Sequence, residues 1–260
     1  ARRPVRWLLM RLSKVGRDNK TPLQRMLESY RNPAAPAGDR LKYWLIHRIM
    51  DRVVTADGWE KFRGRGKQFG ATVRGINIVA RSIAEFGLTV PQKFTSPLFV
   101  VWNFTNRCNL KCKHCYQDSE HECIADELSL EEKLNVVDQM GRLQIPMMAI
   151  SGGEPTLSKD LLPVIRRASG HGMHLSLATN GTTMTRERAA ELRDAGLRYV
   201  EISLDSVDPK RHDAFRGIPG MWERTVAGAR NVVATEGLRL GIAMCGHQGN
   251  VREVRQMLRF

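Results

Sequence analysis

Five short apolar runs recur along the second part of this 260-residue chain, at residues 99–104, 145–151, 173–178, 198–204 and 238–244, with helix signals between them. Runs this short and this continuously apolar suit parallel strands buried on both faces. Ser129-Leu130-Glu131-Glu132 is a capping box opening a helix that carries Leu130, Leu134, Val137 and Met140 on one face. Thr185 starts another helix that Gly196 closes, and Ser158 and Gly170 bracket a third. Five βα units read from this alternation, and right-handed crossovers wrap such units into a barrel or part of one. The last unit reaches Phe260 in what reads as its helix, so a sixth unit is expected beyond that point.

Directly after the first run, Cys108, Cys112 and Cys115 sit in Cys-Asn-Leu-Lys-Cys-Lys-His-Cys-Tyr. Thiolates at spacings of four and three can close around one small inorganic core, and soft sulfur selects iron–sulfur clusters, zinc or copper(I). Zinc would need a fourth ligand, His114 or His121. A cubane cluster has four irons, so three cysteines leave one iron open, a place for chemistry rather than a staple. A disulfide framework is disfavoured, because five cysteines are few and odd in number, as expected in a reducing compartment. Cys123 and Cys245 remain over as ordinary small apolar residues or free thiols. Cys245, at a strand end, is the better placed of the two to face a site.

The C-x3-C-x2-C run with His114 resembles the signature of the radical S-adenosylmethionine (radical SAM) enzymes. Gly152-Gly153-Glu154-Pro155 follows the second run where that family carries its GGE motif. Thr179-Asn180-Gly181 and Ser203-Leu204-Asp205 end the next two runs. His212-Asp213-Ala214-Phe215-Arg216-Gly217 looks like the segment after the fourth strand in the peptide- and cofactor-maturing branches. The resemblance covers residues 99–260 and implies a partial (β/α)6 TIM-like barrel. It also implies a [4Fe–4S] cluster on Cys108, Cys112 and Cys115, with S-adenosyl-L-methionine chelating the open iron. An electron passed into the cluster then yields methionine and a 5′-deoxyadenosyl radical that abstracts hydrogen. By the same resemblance Gly152, Gly153 and Glu154 hold the methionine amino group. Thr179, Asn180, Ser203 and Asp205 are candidates for the ribose and the carboxylate, and His114 for the adenine. Asp205 has a competing reading as a turn cap, and Arg216 as a surface arginine. A flavodoxin- or ferredoxin-like electron donor is the expected partner.

Charge divides the chain. Residues 1–95 hold 20 Lys and Arg against 7 Asp and Glu, whereas residues 96–260 hold 21 against 20. A boundary falls near Pro91 and Pro97, giving a basic region 1–95 and a core 96–260. In the basic region Leu41, Leu45, Ile49 and Val53, beside Trp44, recur as one amphipathic helix, and Val73, Ile76, Ala80 and Ile83 as a second. Gly64, Gly66 and Gly70 mark a basic link between them. No stretch approaches the ~18 apolar residues of a membrane span, and Arg11 cuts Trp7–Met10 too short for a signal sequence. A cytoplasmic protein, peripheral at an anionic membrane through residues 1–95, is expected. The expected substrate is then a lipid or isoprenoid. The alternative is a ribosomal-peptide or tetrapyrrole-cofactor maturase, whose peptide-acting members usually add cysteines after the barrel. Nucleic-acid binding would explain the basic arm, but no recognised zinc or RNA-binding signature accompanies it.

Overall fold

The computed structural model describes residues 3–64, 67–119, 121–122 and 126–259, so Cys123 lies outside the described residues. The chain forms two compact units, Ala1–Phe99 with Met140–Met147, and Val100–Gln139 with Met148–Phe260.

The first unit holds helices α1 (Arg3–Leu12), α2 (Pro22–Ser29), α3 (Ala37–Lys42), α4 (Trp44–Val53), α5 (Ala56–Arg63) and α6 (Lys67–Phe86). Thr21 caps α2, its hydroxyl accepting from Gln24 N while the Gln24 side chain accepts from Thr21 N, and Pro22 takes the first helical position. Leu23, Met26, Tyr43 and Ala80 form a core, with Leu9, Leu12, Leu27 and Ile46 against it. The stripe expected as one helix from Leu41 to Val53 is broken. Tyr43 separates α3 from α4 at φ −101° and ψ 7°, and its ring sinks into that core. Leu41, Leu45, Ile49 and Val53 stay 80, 66, 55 and 80 % exposed. In α6 the buried face is Val73, Asn77, Ala80 and Ala84, and Ile76 points outward. The glycine link is shorter than expected, since Gly64 caps α5 and Gly70 lies inside α6.

In the second part, strands β1 (Phe99–Asn103), β2 (Met147–Ser151), β3 (His174–Thr179), β4 (Tyr199–Ser203) and β5 (Arg239–Ala243) form one parallel sheet in chain order. Between and after them lie α7 (Leu130–Arg142), α8 (Leu161–Gly170), α9 (Arg186–Ala195), α10 (Pro209–Arg216), α11 (Met221–Val233) and α12 (Val254–Met257). This is the expected α/β alternation of a partial barrel. The capping box forms, with Ser129 N donating to Glu132 Oε2 at 2.8 Å and Glu132 N to Ser129 Oγ at 3.3 Å. Alternation along the strands sorts the side chains. Met148, Ile150, Leu175, Leu177, Val200 and Ile202 are fully buried, and their neighbours Ser151, Ala178, Ser203 and Ala243 stay half-buried on the other face. The segment at 212–217 proves to be helical: Asp208 caps Arg211 N, Pro209 begins α10, and Gly217 ends it at φ 79°.

Candidate active site

The loop after β1 brings Cys108, Cys112 and Cys115 onto one cavity of about 340 Å³ at the C-terminal ends of the strands. Ser151, Gly152 and Gly153 line it from β2, Ala178, Thr179 and Asn180 from β3, and Ser203 from β4. Cys245, just past β5, lines it too. The four described cysteines are free thiols, Cys108 buried, Cys112 and Cys115 half-buried, and Cys245 exposed. Burial pushes the Cys108 thiol up to about 11. Burial also raises Cys112, against the pull of the Arg216 guanidinium. At Cys115 burial is outweighed by donors from Ser119, Gln117 and Asp118, which lower the thiol.

What the sequence motifs do first is hold this loop. Gly153 N donates to Thr105 O at 2.8 Å and Glu154 N to Arg107 O at 2.7 Å. A Cβ on Gly152 would stand 2.6 Å from Thr105 O, and one on Gly153 would run into Arg107 O. The two glycines are therefore demanded by the backbone of the cysteine loop crossing over them. From β3, Asn180 Nδ2 donates to Asn109 Oδ1, and Asn109 Nδ2 to Thr182 Oγ1, both at 2.9 Å. From the end of α10, Arg216 O accepts from Lys111 N at 3.1 Å and Phe215 O from Lys113 N at 3.0 Å. Asn109, absent from the expected site, is found only through these bonds.

Glu154 is the hub. Its carboxylate is fully buried, with Oε1 accepting from Thr156 N (3.0 Å), Thr156 Oγ1 (2.5 Å) and Thr179 Oγ1 (2.7 Å), and Oε2 from Asn180 N (2.7 Å). Burial raises this carboxyl and the four donors draw it back down. Oε2 keeps capacity for a second donor. Thr179 and Asn180 are thus partly spent on Glu154 and on the loop, whereas Ser203 lines the cavity with no hydrogen bond to its hydroxyl among the described residues.

Asp205 is engaged by donors of the protein itself. It is 1 % exposed, its Oδ2 accepts from Arg216 Nε at 2.6 Å, and its Oδ1 accepts from Cys245 N at 2.9 Å. Each oxygen thus accepts one donor, and neither the turn-cap reading of Asp205 nor the surface reading of Arg216 holds. Beside them His114 stacks on Phe215, with centroids 4.2 Å apart and planes 4° apart, and Phe215 stacks on His247 at 4.3 Å. Burial lowers His114 and favours the neutral ring, and its Nδ1 is buried without a partner.

Residues 102–260 match the model of the radical SAM superfamily. The chain belongs to that superfamily. Among its relatives is an Fe-coproporphyrin III synthase of Methanosarcina barkeri, 39% identical over 60% of this chain and 38% of that protein. Another is a PqqA peptide cyclase of Rhodopseudomonas palustris, 36% identical over 51% of this chain and 35% of that protein. The chain thus spans under half the length of these relatives. The crystal structure of Streptococcus suis SuiB superposes with a TM-score of 0.58 over 90% of this chain and 51% of SuiB, at 13% identity, which shows a shared fold.

Radical SAM proteins use a [4Fe–4S] cluster and S-adenosylmethionine, and this site suits both. Among the described residues no three His, Cys, Asp or Glu side chains gather closely enough for one ion. Cys108, Cys112 and Cys115 line one cavity, and cysteine thiolates are the usual ligands of a cubane cluster. One further feature suits a polar cofactor: His114, which lines the cavity, has an Nδ1 without a partner among the described residues.

Proposed function

We propose that this chain is the catalytic core of a radical SAM enzyme acting on a tetrapyrrole, with Cys108, Cys112 and Cys115 as the cluster ligands. The observation that carries the catalytic reading is the convergence of those three thiols, and of the ends of β2, β3 and β4, on one cavity. When bound, the cluster and S-adenosylmethionine supply a 5′-deoxyadenosyl radical that takes hydrogen from the substrate. The chain's own residues do the orienting. Glu154 Oε2 accepts from the cofactor's ammonium while its other bonds keep the carboxylate from turning. Ser203 and Asn180 would meet the ribose and carboxylate, and His114, stacked on Phe215, would take the adenine.

The tetrapyrrole reading is favoured by the higher identity to the coproporphyrin synthase, 39%, than to the peptide cyclase, 36%. A lipid substrate finds no counterpart in either relative. Exposed Arg107, Lys111 and Lys113 on the cysteine loop also suit a substrate rimmed by carboxylates. To test it, the anaerobically reconstituted chain is given S-adenosylmethionine, a one-electron reductant and either a propionate-bearing porphyrin or a precursor peptide. The reading expects 5′-deoxyadenosine formation to rise with the porphyrin, accompanied by a mass change in the porphyrin. A rise with the peptide alone would transfer the assignment to peptide maturation.

Residues 1–95 are proposed to meet an anionic membrane surface, and a flavodoxin- or ferredoxin-like protein to supply the electron. The exposed stripe of Leu41, Leu45, Ile49 and Val53, with Trp44, supports the first part, since arginines 40, 48 and 52 flank it. Among the described residues no helix is long and apolar enough to cross a membrane. Co-sedimentation with anionic vesicles should fall with salt and vanish when the chain begins at Pro91. Equal, negligible sedimentation of both forms at low salt would remove this part of the proposal.

A further inference from the structure

Arg216 ends α10 with its side chain almost wholly buried. Its guanidinium is divided between two partners: Nε donates to Asp205 Oδ2 at 2.6 Å, and Nη1 donates to Cys112 Sγ at 3.6 Å. Asp205 cannot move to release it. Its other oxygen holds Cys245 N at 2.9 Å, its carbonyl holds Asn250 Nδ2 at 2.8 Å, and its N–H donates to His212 Nδ1 at 3.2 Å. An arginine turned away from Cys112 would strand a buried carboxylate, at a steep cost in free energy. The other two thiols are treated differently. Cys108 Sγ accepts from Leu110 N and Cys115 Sγ from Ser119 N, each at 3.4 Å. Of the three, and among the described residues, Cys112 is the thiol given a cationic side-chain donor.

We propose that Arg216, clamped by Asp205, is a positioning residue for the Cys112 thiolate that makes the cluster easier to reduce. This rests on the assignment of the three cysteines as cluster ligands. The step concerned is a one-electron transfer from a low-potential one-electron donor. One electron enters the cluster, no bond forms or breaks, and no proton is taken up. The added negative charge spreads onto the thiolate sulfurs, so a cation donating to one of them favours the reduced form over the oxidised form. Asp205 serves to fix the guanidinium at that sulfur, and its partial neutralisation of the cation is the smaller effect at the longer range. Hydrogen bonds to cluster sulfurs are a general means by which a protein sets potential.

The test is a redox titration, followed by electron paramagnetic resonance, of the reconstituted full chain as wild type, Arg216→Gln, Arg216→Lys and Asp205→Asn. Iron and sulfide are counted in each sample first. Arg216→Gln should keep its cluster and lose about tenfold in the reduction equilibrium, a downward shift of ~59 mV for a one-electron couple. Arg216→Lys keeps the charge without the fork and should fall between. Asp205→Asn, with its arginine untethered, should also fall between. An iron-loaded Arg216→Gln with the wild-type midpoint overturns the inference. Loss of the cluster from all three variants overturns it as well, because the pair is then a structural brace. A wild-type chain that takes up no iron would instead refute the underlying ligand assignment.

Discussion

Removing the Glu154 carboxylate should damage the fold before it damages cofactor binding, and the structure sets the size of the effect. Four donors end on this one buried group: the main-chain N–H of Thr156 and Asn180, and the hydroxyls of Thr156 and Thr179. In Glu154→Ala the hydroxyls have somewhere to turn, since Thr156 Oγ1 already lies 2.5 Å from Thr183 Oγ1. The two main-chain donors do not. Each orphaned donor costs about 1–3 kcal/mol, which gives roughly 2–6 kcal/mol for the pair. That is a large part of the ~5–15 kcal/mol that holds a domain folded. Glu154→Gln keeps the acceptor for Thr156 and Thr179 but sets an amide N–H against Asn180 N–H, so one bond is lost, at ~1–3 kcal/mol. Urea unfolding of the cluster-free chain, followed by circular dichroism, should therefore rank wild type above Gln above Ala. With a slope near 1–3 kcal/mol per molar, the alanine midpoint should drop by on the order of 1 M or more. An Ala midpoint equal to wild type, with S-adenosylmethionine binding lost, would show that Glu154 serves the cofactor alone and would refute this reasoning.

Cys245→Ala should retain the iron and sulfide of wild type, although Cys245 lines the same cavity, whereas Cys112→Ala should lose the cluster. Retention by the second and loss by the first, read by iron and sulfide analysis, would reassign the ligand set. Gly217→Ala should weaken the cysteine loop, because φ is 79° there and a Cβ would run into Lys111 O. About 1–3 kcal/mol of lost stability and a lower cluster yield are expected, checked by the same urea curve and by iron content. Acidification should also destabilise the chain. Burial lowers His212, with Arg216 adding to the effect and Asp205, Asp213 and Glu223 opposing it. Burial lowers His174 too, beside Arg239 and Arg198. The unfolded chain therefore binds protons first as pH falls below the ordinary histidine value, and stability declines from there. Protonation would also set an N–H at His212 Nδ1 against Asp205 N–H. Thermal midpoints between pH 7.5 and 5.5 should fall, and the fall should shrink in His212→Gln; an unchanged slope would count against His212.

Much of the core was legible because strand and helix periods, caps and cysteine spacing are local properties. Ser129 and Glu132, Thr185 and Gly196 declare themselves within four residues or at an element's end. The same holds for the three cysteines on their loop. The roles of Glu154, Asp205 and Arg216 were not local. A carboxylate beside two glycines reads equally as a ligand for an ammonium or as an acceptor for Asn180 N, 26 residues on. Only the folded distances show that it is already engaged. Asp205 and Arg216 lie 11 residues apart, and nothing in their spacing says that one ends a strand turn and the other a helix whose last turn faces back to it. In the first unit the Leu41 stripe is legible as one exposed apolar face but not as two helices, because periodicity reports a shared face and not a break within it. Tyr43, inside that stripe, took the buried place and broke the helix.

The central claim is that the three-cysteine loop builds an open cluster that cleaves S-adenosylmethionine. Its most direct test is chromatography of the products formed by the anaerobically reconstituted chain with S-adenosylmethionine and a strong one-electron reductant. The account predicts 5′-deoxyadenosine and methionine in equal amounts from wild type, and neither from Cys112→Ala. S-adenosylhomocysteine as the sole product, or an iron-loaded wild-type chain that forms no 5′-deoxyadenosine, would contradict it.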